Sequence, residues 1–103
     1  MDVLPAMANM GFKGVNLTVP LKEVAFHGLK DLDVSARMLG AVNTVEFLPE
    51  GLKGHNTDGK GFLLAVKEAF KKEVSDLSVF VLGTGGAGRA VAITCASEGA
   101  SRV

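Results

Sequence analysis

The stretch Val79-Phe80-Val81-Leu82-Gly83-Thr84-Gly85-Gly86-Ala87-Gly88-Arg89-Ala90 sets the tightest limit on what this chain can fold into. An unbroken apolar run ends in clustered glycines, and a helix-forming run follows at once. That order predicts a strand, a turn and a helix, with Gly83, Gly85 and Gly88 in the G-x-G-x-x-G spacing of a dinucleotide-binding βα turn. Gly83 permits a sharp exit from the strand, and Gly85 lets the backbone approach a pyrophosphate closely. Gly88 lets the helix pack tightly, while the N–H groups of its first turn face the anion. A phosphate-binding P-loop is the nearest rival, since Gly83 and Gly88 also fit G-x-x-x-x-G. That loop needs Lys and then Ser or Thr, where this chain has Arg89 and Ala90. With no hydroxyl to offer a metal, the dinucleotide reading is the better one.

The other glycines and prolines punctuate the chain. Residues Leu4 to Met10 read as the tail of a helix stopped at Gly11, and Gly14 to Val19 as a β-branched strand ended by Pro20. Leu21–Leu29 and Val34–Leu39 read as short helices, the second closed by Gly40. Ala41–Leu48 and Leu52–His55 read as two strands around a Pro49-Glu50-Gly51 turn. Asp58 is the expected N-cap of a helix with Phe62, Val66 and Phe70 on one face and Lys71-Lys72 in its last turn. The Val79 run is expected to be covered on both faces, as in a parallel sheet. The last helix is expected over residues 86–98, with Gly99 as its C-terminal cap and a second strand starting at Arg102. Met7, Met10, Met38 and Cys95 are expected in the core.

Composition excludes several classes. Eleven basic residues balance eleven acidic ones, so no nucleic-acid footprint is present. No apolar stretch is long enough for a bilayer, and the first residues lack a signal-like pattern. A single cysteine suits a reducing cytoplasm, the expected location. His27, His55 and Cys95 lie far apart in sequence, with no metal-ligand spacing, and no metal site is expected.

Four segments taken together are more specific than the glycines alone. They are Asn16-Leu17-Thr18-Val19-Pro20-Leu21-Lys22, Gly40-Ala41-Val42-Asn43-Thr44, Asn56-Thr57-Asp58-Gly59 and Gly83-Thr84-Gly85-Gly86-Ala87. In that order and spacing the chain closely resembles the shikimate dehydrogenases from Gly11 onward. The resemblance implies NADPH-dependent reduction of 3-dehydroshikimate to shikimate, in aromatic amino-acid biosynthesis. It also implies an α/β fold in which part of a substrate-binding domain (residues 1–57) is joined by a hinge helix (58–74) to the start of an NADP-binding Rossmann domain (75–103). On the family's pattern Lys22 and Asp58 are the catalytic pair, and both also contact substrate. Thr18 and Asn43 hydrogen-bond its hydroxyls. Gly83, Thr84, Gly85, Gly86 and Ala87 hold the NADP pyrophosphate. The implied partner is a small-molecule substrate, with no nucleic acid and no membrane, and with room for a homo-oligomer or a fusion to other pathway enzymes in the full-length parent.

These residue types suit the chemistry. Hydride delivered to a ketone leaves developing alkoxide charge, which calls for a proton donor or a cation. Lys22 can be both, with Asp58 orienting it. A carboxylate neighbour raises a lysine pKa and burial lowers it, and the sequence does not rank the two. Taken singly, each residue has a plainer reading: a solvated lysine, a helix cap, a turn asparagine, a strand threonine. The family's serine-bearing first βαβ portion falls upstream of Met1, and the segment that selects NADP over NAD falls beyond Val103. The 103 residues are therefore expected to be an inactive fragment. A related dehydrogenase of altered substrate, such as quinate, and a non-catalytic binding or assembly fragment remain as alternatives.

Overall fold

The computed structural model describes residues 3–83 and 85–103. The chain divides into two compact units, Met1–Thr57 and Asp58–Val103.

In the first unit the chain runs through α1 (Val3–Asn9), β1 (Gly14–Asn16), α2 (Leu21–Gly28), β2 (Asp31–Leu32), α3 (Val34–Leu39), β3 (Thr44–Leu48) and β4 (Gly51–His55). β3 and β4 form an antiparallel hairpin that pairs Leu48 with Gly51 around Pro49-Glu50. Period-2 alternation sends Val45 and Phe47 inward and leaves Glu46 exposed. β1 joins β3 antiparallel and β2 joins β4 in parallel, giving the order β1-β3-β4-β2. The sheet and helices enclose a core of Leu4, Ala25, Ala36, Val42 and Val45, against which Met7, Phe26 and Leu32 pack.

Several expectations are corrected here. β1 stops at Asn16 because the Thr18 carbonyl accepts the Leu21 N–H at 2.8 Å, starting the turn into α2. β3 begins at Thr44, three residues late, because the Val42 N–H goes to the Lys22 carbonyl at 2.9 Å. The two-residue strand β2 is not among the elements the sequence predicts. Met10 and Met38 are 75% and 45% exposed, so of the three methionines expected in the core only Met7 packs there.

The second unit holds α4 (Asp58–Phe70), a 3₁₀ turn (Val74–Asp76) and α5 (Gly86–Ser97). Its core joins Val66, Val74 and Cys95 with Phe62, Leu63, Leu77, Val79 and Val91. Burial pushes the Cys95 thiol pKa up. α4 begins at Asp58 itself, so that residue stands in the first turn as a helical residue and not as the cap. Phe70, the last residue of α4, is 67% exposed and lies outside the expected apolar face. The helix ends before Lys71, whose left-handed backbone (φ 58°) breaks it and whose Nζ donates to the Glu68 carbonyl at 2.9 Å.

Among the described residues, the run after Leu77 pairs through a parallel bridge of Ser78 with Arg102, where the Val79 N–H reaches the Arg102 carbonyl at 2.7 Å. Its side chains alternate. Val79 and Val81 are half-buried towards α5, whereas Phe80 and Leu82 are 84% and 87% exposed. The expectation of two covered faces is therefore wrong for these residues: helices pack on one side only among those described. No helix among the described residues is long and apolar enough to cross a membrane.

α4 and α5 come together where Gly59 meets Thr94. A Cβ at residue 59 would collide with the Thr94 hydroxyl, which is buried without a hydrogen-bond partner among the described residues. Two residues further along α4, Gly61 faces open space. Gly59→Ala is expected to destabilise the chain by about 1–3 kcal/mol through overpacking. Gly61→Ala is expected to stabilise it by about 0.5–1 kcal/mol through helix propensity. Urea unfolding of the two variants checks the opposite signs.

Candidate functional site

The polar segments of the first unit converge on Asn43, which sits just before β3. Its carbonyl accepts the Leu17 N–H at 2.7 Å, and its own N–H donates to the His55 carbonyl at 3.0 Å. The side chain is equally engaged. Oδ1 accepts from the Thr57 N–H and from the Thr44 hydroxyl, both at 3.0 Å, and Nδ2 donates to Thr57 Oγ1 at 2.8 Å. The loop carrying Thr18, the end of β4 and the Asn56-Thr57 turn are thus tied to a single residue.

Lys22 is held nearby through its main chain. It is the second residue of α2, half-buried, and its carbonyl takes the Val42 N–H one residue before Asn43. Thr18 lies exposed in the turn entering α2. Three of the expected site residues, Thr18, Lys22 and Asn43, therefore share one end of the sheet. Beside it an open groove of about 610 Å³ is lined by Lys13, Asn16, Thr44, Glu46 and His55. His55 Nε2 and Glu46 Oε1 are 3.0 Å apart across the hairpin.

Asn56 is 5% exposed and donates through its side chain to the Ala41 carbonyl at 3.0 Å. Its backbone N–H goes to Ser35 Oγ at 3.0 Å. Ser35 in turn belongs to the cap of α3, where the Asp33 carboxylate accepts the Ser35 hydroxyl at 2.7 Å and the Ser35 N–H at 3.0 Å. Those two bonds, the hydroxyl's first, hold the Asp33 carboxyl below its usual pKa. Sequence reading misses Ser35, Asn56 and Thr57 as members of this network. Only the Asp33 cap leaves a local signal, an acidic residue placed just before an apolar helical run.

In the second unit, Asp58 is a half-buried first-turn residue of α4. Gly83 adopts φ +110°, the positive-φ exit that only glycine makes without strain. Gly85 is the N-cap of α5, with no side chain capping it, and Gly86 and Ala87 form the exposed first turn. Thr84 lies outside the described residues. A Cβ on Gly85 or Gly86 would meet nothing, leaving room for a group to approach the backbone. A Cβ on Gly88 would come within 2.7 Å of the Gly83 carbonyl oxygen, so the helix closes on the turn only because that residue is glycine. A groove of about 530 Å³ borders the turn, with Phe80, Val81, Gly83, Gly88 and Arg89 in its wall. Open backbone at an uncapped twelve-residue helix start fits a pyrophosphate.

The chain thus combines an α/β unit whose polar groups gather at one sheet end with a glycine turn that leads into a helix. The sequence model of the shikimate dehydrogenase substrate binding domain matches residues 1–45. The chain is 44% identical over 102 residues to the shikimate dehydrogenase (NADP(+)) of Bacillus licheniformis, a match that covers 99% of this chain and 37% of that protein. The chain is thus similar to shikimate dehydrogenases over nearly all of its length, and it spans about a third of the length of the relatives it matches. Among solved structures, the Thermus thermophilus shikimate 5-dehydrogenase in complex with NADP(H) and shikimate superposes with a TM-score of 0.79 at 42% identity, covering 96% of this chain and 38% of that one. The ligand-free 5-ketofructose reductase of a Gluconobacter strain gives a TM-score of 0.84 at 40% identity, over 96% of this chain and 35% of that one.

Because the folded pKa of Asp33 is depressed, its ionised cap stabilises the chain above the ordinary carboxylate pKa. That contribution disappears as pH falls through the lower folded value. The stability lost in Asp33→Ala is therefore expected to be constant from about pH 7 to 5 and to shrink below pH of about 4. Urea unfolding at each pH measures it.

Proposed function

We propose that the chain carries part of the active site of an NADP-dependent shikimate dehydrogenase, which reduces 3-dehydroshikimate to shikimate. The convergence of Thr18, Lys22 and Asn43 at one sheet end is the observation that carries this reading. Residues 1–57 serve as the substrate-binding part, 58–74 as the hinge helix, and 75–103 as the start of the nucleotide-binding domain.

In this reading Thr18 and Asn43 hydrogen-bond the substrate's ring hydroxyls and fix its orientation. The Lys22 ammonium donates a proton to the carbonyl oxygen as negative charge develops there, and its positive charge stabilises that oxygen beforehand. Asp58 accepts from a substrate hydroxyl and orients Lys22. Gly83, Thr84, Gly85, Gly86 and Ala87 would hold the pyrophosphate of NADPH, which when bound would supply the hydride and leave as NADP+. The choice of NADP is supported by the relatives named for it.

A second reading, a related reductase of altered substrate, has the likeness to 5-ketofructose reductase in its favour. Grafting these 103 residues into the matching segment of the Bacillus licheniformis relative separates the two. The chimera is expected to oxidise NADPH with 3-dehydroshikimate faster than with 5-ketofructose or dehydroquinate, while the 103 residues alone show no turnover. In the chimera, Lys22→Ala is expected to lower kcat by about 100-fold or more, with KM changed far less. A folded chimera that prefers 5-ketofructose, or a Lys22→Ala variant that keeps its kcat, overturns the assignment.

A further inference from the structure

The groups that fix Asn43 from behind have no place in the reaction just described. Thr57 holds the Asn43 side chain at both ends, accepting from Nδ2 and donating its N–H to Oδ1. The residue before Thr57, Asn56, is anchored through its side chain to the Ala41 carbonyl and through its main-chain N–H to Ser35 Oγ. A serine hydroxyl has one hydrogen and two lone pairs. The hydrogen of Ser35 is committed to Asp33 Oδ2 at 2.7 Å, so only lone pairs face Asn56. Asp33 sets the rotor, and its own N–H is anchored to the Gly54 carbonyl at 2.8 Å. From Gly54 the path runs through Asp33 and Ser35 and returns to the chain at Asn56, two residues on, closing a loop of hydrogen bonds across the end of β4.

We propose that Ser35, its hydroxyl aimed by Asp33, is a positioning residue that fixes the Asn56 main chain and through it the Thr57–Asn43 pair presented to the substrate. The substrate clause rests on the role of Asn43 given under Proposed function; the positioning is a property of this chain's own hydrogen bonds. Ser35 acts only through its neighbours. Ser35→Ala isolates that action, because the helix cap uses the backbone N–H of residue 35 and survives the substitution.

The test combines amide hydrogen exchange with titration of shikimate into the chain, both followed by NMR. In the unaltered chain the Asn56 N–H is expected to be as protected as that of Asp33. Ser35→Ala is expected to speed exchange at Asn56 and Thr57 by roughly tenfold, as loss of one hydrogen bond implies. Val45 and Phe47 in the hairpin should stay unchanged. Shikimate affinity should fall by about three- to tenfold, and Ser35→Thr, which restores the hydroxyl, should recover both. Unchanged exchange at Asn56 and Thr57, or an equal rise in the hairpin, overturns the proposal. Should Ser35→Ala not fold, protection of Asn56 in the unaltered chain supports the proposal, and exchange at the unprotected rate overturns it. If the unaltered chain binds no shikimate, the exchange pattern alone decides the role of Ser35.

Discussion

The first unit hangs together at its polar end because Asn43 is bonded through every polar group it has. Main-chain bonds fasten it to Leu17 and His55, and side-chain bonds fasten it to Thr44 and Thr57. An amide carries both donor and acceptor on a short stem, and no apolar or purely acidic side chain of that size can do both. Three separate stretches of chain are thereby held at one end of a four-stranded sheet. Preorganisation of this kind matters to a proposed site that must orient a hydroxylated ring, since a loose first contact costs rate as well as affinity.

Much of this is legible in the sequence. The end of Val34–Leu39 can be read correctly because the glycine that follows marks it, in the left-handed conformation the structure shows. The Pro49-Glu50-Gly51 turn marks the hairpin in the same local way. What escapes a reading of the sequence is non-local. β2 is two residues long and exists only because Lys53 and Gly54 lie beside it, which no period in the sequence records. The apolar run from Val79 gives no hint that Phe80 and Leu82 stand exposed, because a continuous run reads the same whether one face is covered or two.

The candidate site divides along the same line. Lys22, Asn43 and the glycine turn are readable because each lies in a motif whose residues are neighbours in the chain. Ser35 is not: its partner Asn56 is 21 positions away, and a serine in a helix's first turn is ordinary. The resemblance to known relatives places the motifs, whereas the support behind them comes from the folded chain alone.

The contact between Gly59 and Thr94 carries an evolutionary corollary. The two positions form a lock in which bulk at one excludes bulk at the other, so they should drift as a couple. A lineage that acquires alanine at 59 can keep the α4–α5 spacing only by moving or giving up the hydroxyl at 94, as alanine or glycine there would do. Aligned relatives that pair alanine with threonine at these sites must have turned the hydroxyl aside or moved the two helices apart.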